Sequence, residues 1–122
     1  MSVAFGDIRT LPATDEAKDI MKQFVLKEIF NEQREVWMLG ATLGIIYNKV
    51  YTEGTRNTFQ NINSLDPERI FAAIMMGKYP DLSPEERVKK LVDHAEWGIR
   101  LLATKEQANE LDFSKIGLEQ IT

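Results

Sequence analysis

The stretch from Val36 to Asn48 carries no charged residue, and it limits what the rest of the chain can become. Wound as a helix at about 100° per residue, its side chains Val36, Trp37, Met38, Leu39, Ala41, Leu43, Ile45, Ile46 and Tyr47 point all round the axis. A helix that is apolar on every side is buried on several sides, so other elements have to wrap it. Crossing a bilayer core of about 30 Å takes about 20 apolar residues, more than this run supplies, so no membrane span is expected. Gly40 and Gly44 interrupt the run four residues apart. Each costs about 1 kcal/mol relative to alanine inside a helix, a loss that close approach of a neighbouring helix backbone would offset.

The elements that do the wrapping also read as helices. Thr14, followed by Asp15 and Glu16, predicts a helix start with acids at the positive end of the dipole. Ala17, Ile20, Met21 and Phe24 form its apolar face. Continuing that helix would bring Glu28 onto the same face, so a break is expected between Val25 and Asn31. Asn31 is read as the cap of the central helix, which runs to about Asn48. A polar segment rich in Asn and Thr follows from Thr52 to Ser64 and is read as the longest loop. Asp66 as cap, Pro67 at the first helical position and Leu65 placed to staple against Ile70 predict a third helix ending near Gly77. Ser83-Pro84-Glu85-Glu86 is a capping box for a fourth helix, with Val88, Leu91, Val92, Ala95, Ile99 and Leu102 on its core stripe to about Ala103. A short final helix is placed over Lys105 to Leu111, and Phe113, Ile116 and Leu118 are expected to lie against the body. No long period-2 pattern occurs, so Ala4 to Arg9 is allowed at most a short edge strand. The expected fold is therefore all-α: one domain over residues 1–122, a compact bundle of four to five helices with a polar loop between helices two and three, and weakly patterned ends at 1–12 and 112–122.

Several function classes find no support. The chain has no cysteine, which removes disulfide frameworks, thiol nucleophiles and thiolate metal sites and fits a reducing, cytoplasmic setting. Met1 to Leu11 lacks a basic segment followed by an apolar stretch, so no signal peptide is expected. A net charge of −4, spread evenly along the chain, gives little support to non-specific nucleic-acid binding, which draws on Lys and Arg. The glycines are scattered, so no phosphate-cradling fingerprint exists. The sole histidine, His94, has neither a second histidine nor a cysteine to share a zinc ion with. Asp15-Glu16 and Glu85-Glu86 are explained by helix starts, and Glu32 with Glu35 lacks the Glu-x-x-His of a carboxylate iron site. No catalytic residue, cofactor or metal site is assigned; a reaction using His94 with Asp93 or Glu96 is the weakest reading kept.

Two surfaces remain as candidates. On the fourth helix Trp97 falls about 170° from the centre of the core stripe, with Leu101 and His94 beside it and Lys90 between them. Tryptophan is enriched in interface hot spots, so Trp97, Leu101 and His94 are read as a contact surface, with the Gly40 and Gly44 packing motif as a further interface candidate. Alternatively, Trp97 packs under the final segment. Arg34, Lys49 and Arg56 are the candidates for touching phosphates, with Arg100 able to join a shared surface.

The segments Glu35-Val36-Trp37-Met38-Leu39-Gly40-Ala41-Thr42-Leu43-Gly44 and Ala95-Glu96-Trp97-Gly98-Ile99-Arg100-Leu101-Leu102 resemble the small accessory proteins encoded beside DNA phosphorothioation (Dnd) restriction systems. The likeness covers about residues 30–103 and carries over no catalytic residue. Such relatives tend to carry adjacent arginines after the glycine-bearing helix, where this chain has Asn48-Lys49-Val50-Tyr51. What the resemblance implies is a prokaryotic defence or DNA-modification context and an accessory role. The leading expectation is thus a non-enzymatic interaction module that self-associates or binds a protein partner, with nucleic-acid binding through Arg34, Lys49 and Arg56 as the alternative.

Overall fold

The computed structural model describes residues 4–111. Its elements are β1 (Thr10–Thr14), α1 (Asp15–Leu26), α2 (Gln33–Tyr47), β2 (Arg56–Asn61), α3 (Ile62–Leu65), α4 (Ile70–Lys78) and α5 (Pro84–Gln107). The fold is mostly helical but not all-α, because β1 and β2 pair antiparallel into a two-stranded sheet, with Thr10 opposite Asn61 and Thr14 opposite Arg56, and the segment from Thr52 to Ser64, expected as a polar loop, instead holds β2 and the start of α3. The register shifts between Leu11 and Pro12, so the proline, which cannot donate to a ladder, sits at an irregularity where that loss matters least. The strand is also not the edge strand allowed at Ala4 to Arg9. What holds it is burial: Leu11 and Ala13 face the core while β2 stays largely exposed.

Thr14 joins strand to helix. Its hydroxyl accepts the Ala17 N–H at 3.0 Å, the N-cap bond that the sequence predicts. Ala17, Met21 and Phe24 are buried as the period requires. The helix stops at Leu26, and Glu28 turns the chain with φ 60°. For α2 the cap lies one residue later than expected, at Glu32: Glu35 reaches back to accept both the Asn31 and the Glu32 N–H, at 3.0 and 2.8 Å.

Helices α2 and α5 form the centre of the molecule, and their backbones touch. A Cβ on Gly98 would lie 1.7 Å from the Gly40 carbonyl oxygen, and one on Gly44 would lie 2.1 Å from the His94 carbonyl oxygen. Glycine is needed at both positions because no side-chain adjustment relieves a clash with backbone. Around this crossing pack Val36, Trp37, Leu43, Leu91, Val92 and Ile99, all almost fully buried, and Trp37 meets Phe71 edge to face at 5.6 Å.

Two further boundaries differ from expectation. Asp66 does cap a helix, but its carboxylate accepts the Phe71 and Ala72 N–H groups at 3.0 and 2.9 Å, so α4 begins at Ile70. Pro67 and Glu68 form a turn, and Ile70 is exposed instead of stapled to Leu65. The Ser83 and Glu86 capping box starts α5 as predicted. The helix then runs without interruption to Gln107, so no separate helix begins at Lys105. The expected contacts of Phe113, Ile116 and Leu118 lie outside the described residues.

Candidate functional site

Most of the polar chemistry sits on one helix. Asp93, His94 and Glu96 are consecutive or nearly so on α5, and all three are buried. Residues one or two apart on a helix point in different directions, so each is answered by a different element. Asp93 accepts from Arg56 of β2 and from Lys89 one turn earlier. The same Arg56 donates to the Tyr51 carbonyl at 2.6 Å, and the Tyr51 N–H returns to the Asp93 carbonyl at 3.0 Å. Glu96 accepts the Thr14 N–H and hydroxyl at 3.0 and 2.9 Å and Arg100 at 2.6 Å. Arg100 also reaches Glu16 at 2.6 Å and lies 3.6 Å above the Tyr51 ring. The two carboxylates therefore clamp the sheet and the Asn48 to Thr55 connection onto α5. Neither is aimed at His94.

His94 is fully buried. Its Nδ1 lies 2.7 Å from the Lys49 carbonyl oxygen, which can only accept, so Nδ1 carries the proton. Nε2 is then the acceptor, and the Tyr79 hydroxyl 2.9 Å away donates to it. Burial pushes the histidine pKa down, the Lys49 hydrogen bond opposes that, and the positive charges of Lys78 and Lys90 reinforce it. Burial raises the Tyr79 pKa. The neutral ring joins three segments: the chain after α2, the turn after α4, and α5. A general acid or base needs a substrate within reach, and a ring with no solvent exposure offers none. Among the described residues, no group of three or more His, Asp or Glu is placed to hold a metal ion.

The other residues singled out in the sequence do not form one surface. Gly40 and Gly44 face α5 of the same chain and leave no room for a partner. Trp97 is half-buried with its ring 5.4 Å from that of Tyr47, and Leu101 is partly buried against the core. Arg34 is paired with Glu32 at the start of α2, and Lys49 lies beyond its end. The 15 residues of α2 separate them by about 22 Å at 1.5 Å per residue. Arg56 is engaged by Asp93. Arg34 and Lys49 thus stand at opposite ends of α2, and Arg56 lies in β2, held against α5.

The outer face of α4 was not singled out. Phe71, Ala72 and Met75 are buried, while Ile70 is 55%, Ile74 39% and Met76 38% exposed. Ile70, Ala73, Ile74 and Gly77 follow the i, i+3, i+4, i+7 spacing of a single stripe. The sequence did carry the signal, because this helix has no polar residue before Lys78. Compared with protein-family models, curated proteins and solved structures, the chain matches none.

Proposed function

We propose that the chain is a non-enzymatic helical interaction module that docks through the outer face of α4, in the first place onto a second copy of itself. The observation that carries this reading is the exposure of Ile70 and Ile74, in one stripe with Ala73 and Gly77, on a helix whose opposite face is already packed. Single exposed apolar side chains are ordinary, but a contiguous apolar stripe on one helix marks a contact surface. The polar clusters of α5 support the same reading from the other side, since each group answers another within the chain. An accessory role in a prokaryotic DNA-modification or defence system fits the resemblance of the α2 and α5 segments, and the cysteine-free composition fits a cytoplasmic setting.

A nine-residue helix is about 14 Å long, too short to cover by itself the roughly 800 Å² per partner of a standard interface. Association through it is therefore in the micromolar range. Light scattering from about 1 to about 100 μM tests this: a mass rising toward twice that of the chain is expected. A constant monomer mass, together with no change in any partner binding on Ile74→Asp, would overturn it.

A further inference from the structure

The N-terminal turn, the end of the sheet and the start of α4 enclose a cleft of about 320 Å³ that the docking face does not use. Its apolar lining comes from Phe5, Ile8 and Ile62, and its polar lining includes Arg9 and Arg69. A depression of this size, apolar with a few convergent polar groups, is what small-ligand sites look like. Two other depressions lack that character. In one, Lys18 already donates to the Thr58 carbonyl at 3.0 Å; in the other, Lys27 is paired with Glu106 at 3.3 Å. In the cleft, by contrast, neither guanidinium is held by a carboxylate among the described residues. Asp66, which also lines it, has both carboxylate oxygens occupied by the N–H groups of Phe71 and Ala72.

Arg69 stands at the turn before α4. Its backbone is left-handed, φ 58° and ψ 30°, a conformation in which glycine or asparagine is cheaper. Its N–H donates to the Asp66 carbonyl at 3.2 Å in the turn that precedes α4, and Arg69 there lines the cleft. We propose that the cleft binds a small organic monocarboxylate with an apolar body, the carboxylate received by Arg9 and Arg69 and the body lying on Phe5, Ile8 and Ile62. Planar guanidinium groups match a carboxylate bidentately. One negative charge suits the site better than two, because Asp7 and Asp66 share the lining with the two arginines.

The test is titration calorimetry of the full chain with phenylpropionate, phenylpropanol and phenylphosphonate, with amide resonances followed by nuclear magnetic resonance. Saturable binding of phenylpropionate is expected, with shifts at Ile8 and Ile62. Arg9→Gln and Arg69→Gln should each weaken it about tenfold. Arg9 is exposed and outside every regular element, so its variant reports on binding even if replacing Arg69 disturbs the start of α4. The assignment is overturned by absent saturation, by equal affinity for the neutral alcohol, or by affinity that Arg9→Gln leaves unchanged. Tighter binding of the phosphonate would overturn the choice of a carboxylate.

Discussion

The hydroxyl of Tyr79 donates to Nε2 of His94 across 2.9 Å, and burial favours the neutral form of this imidazole. Protonating the ring would bury a positive charge and place it near Lys78 and Lys90, so burial first and the two lysines after it lower its pKa. The folded pKa therefore lies below the unfolded value of about 6.5. Above that value both states are neutral and the contribution to stability is complete. As the pH falls through it the unfolded chain takes up the proton first, and stability declines until the folded pKa is passed. Urea midpoints measured from about pH 8 to about pH 5 should fall. Since His94 is the sole histidine, His94→Gln should flatten that slope, whatever it does to stability at neutral pH.

Gly98 and Gly77 make opposite predictions for the same substitution. At Gly98 an added Cβ would lie 1.7 Å from the Gly40 carbonyl, so α2 and α5 would have to separate. Gly98→Ala should cost about 3 kcal/mol or more and broaden the unfolding transition. At Gly77 nothing lies within 4 Å of the added carbon. Gly77→Ala should leave the fold unchanged and stabilise it by up to about 1 kcal/mol. Thermal unfolding of the two variants side by side checks both signs.

These contrasts show which features could be read from the residues. Ser83 and Thr14 were legible as caps because a cap is a local hydrogen bond between near neighbours in the chain. The apolar run in α2 was legible as a buried helix because its composition leaves no polar face. The sheet was not. Arg56 to Asn61 has a mostly exposed pattern, and Thr10 to Thr14 contains a proline, so neither strand alternates cleanly. Their pairing exists because α1 and α5 bring distant segments together, and Leu11 is buried by that packing. The same limit applied to Arg56, which reads as a surface cation until Asp93, 37 residues away, is brought beside it.

The Arg56 and Asp93 pair can be tested by its asymmetry. Asp93 has 3% of its side chain exposed and Arg56 has 13%. Removing the carboxylate leaves the largely buried guanidinium with the Tyr51 carbonyl but no opposite charge, so Asp93→Asn should cost about 3 kcal/mol. Replacing both, with Arg56→Met and Asp93→Leu, removes the desolvation cost along with the attraction and should recover much of that loss. A double-mutant cycle by urea unfolding measures the coupling. If the double variant were no more stable than Asp93→Asn alone, the pair would have no separable role in holding β2 on α5.

The outer face of α4 allows association to be separated from folding. Ile74 is exposed and makes no contribution to the packed side occupied by Phe71, Ala72 and Met75. Ile74→Asp should therefore change the stability of the monomer by no more than about 0.5 kcal/mol. If α4 is the docking face, the same change places a charge in an apolar contact and should abolish association at every accessible concentration. Trp97→Ala should behave in the opposite way. Its ring rests on Tyr47, so its removal should lower stability by about 2 kcal/mol and leave the association constant little changed. Light scattering and urea unfolding on these two variants separate the readings: loss of association in Trp97→Ala with α4 substitutions silent would move the docking surface to the side of α5 that carries Trp97 and Leu101.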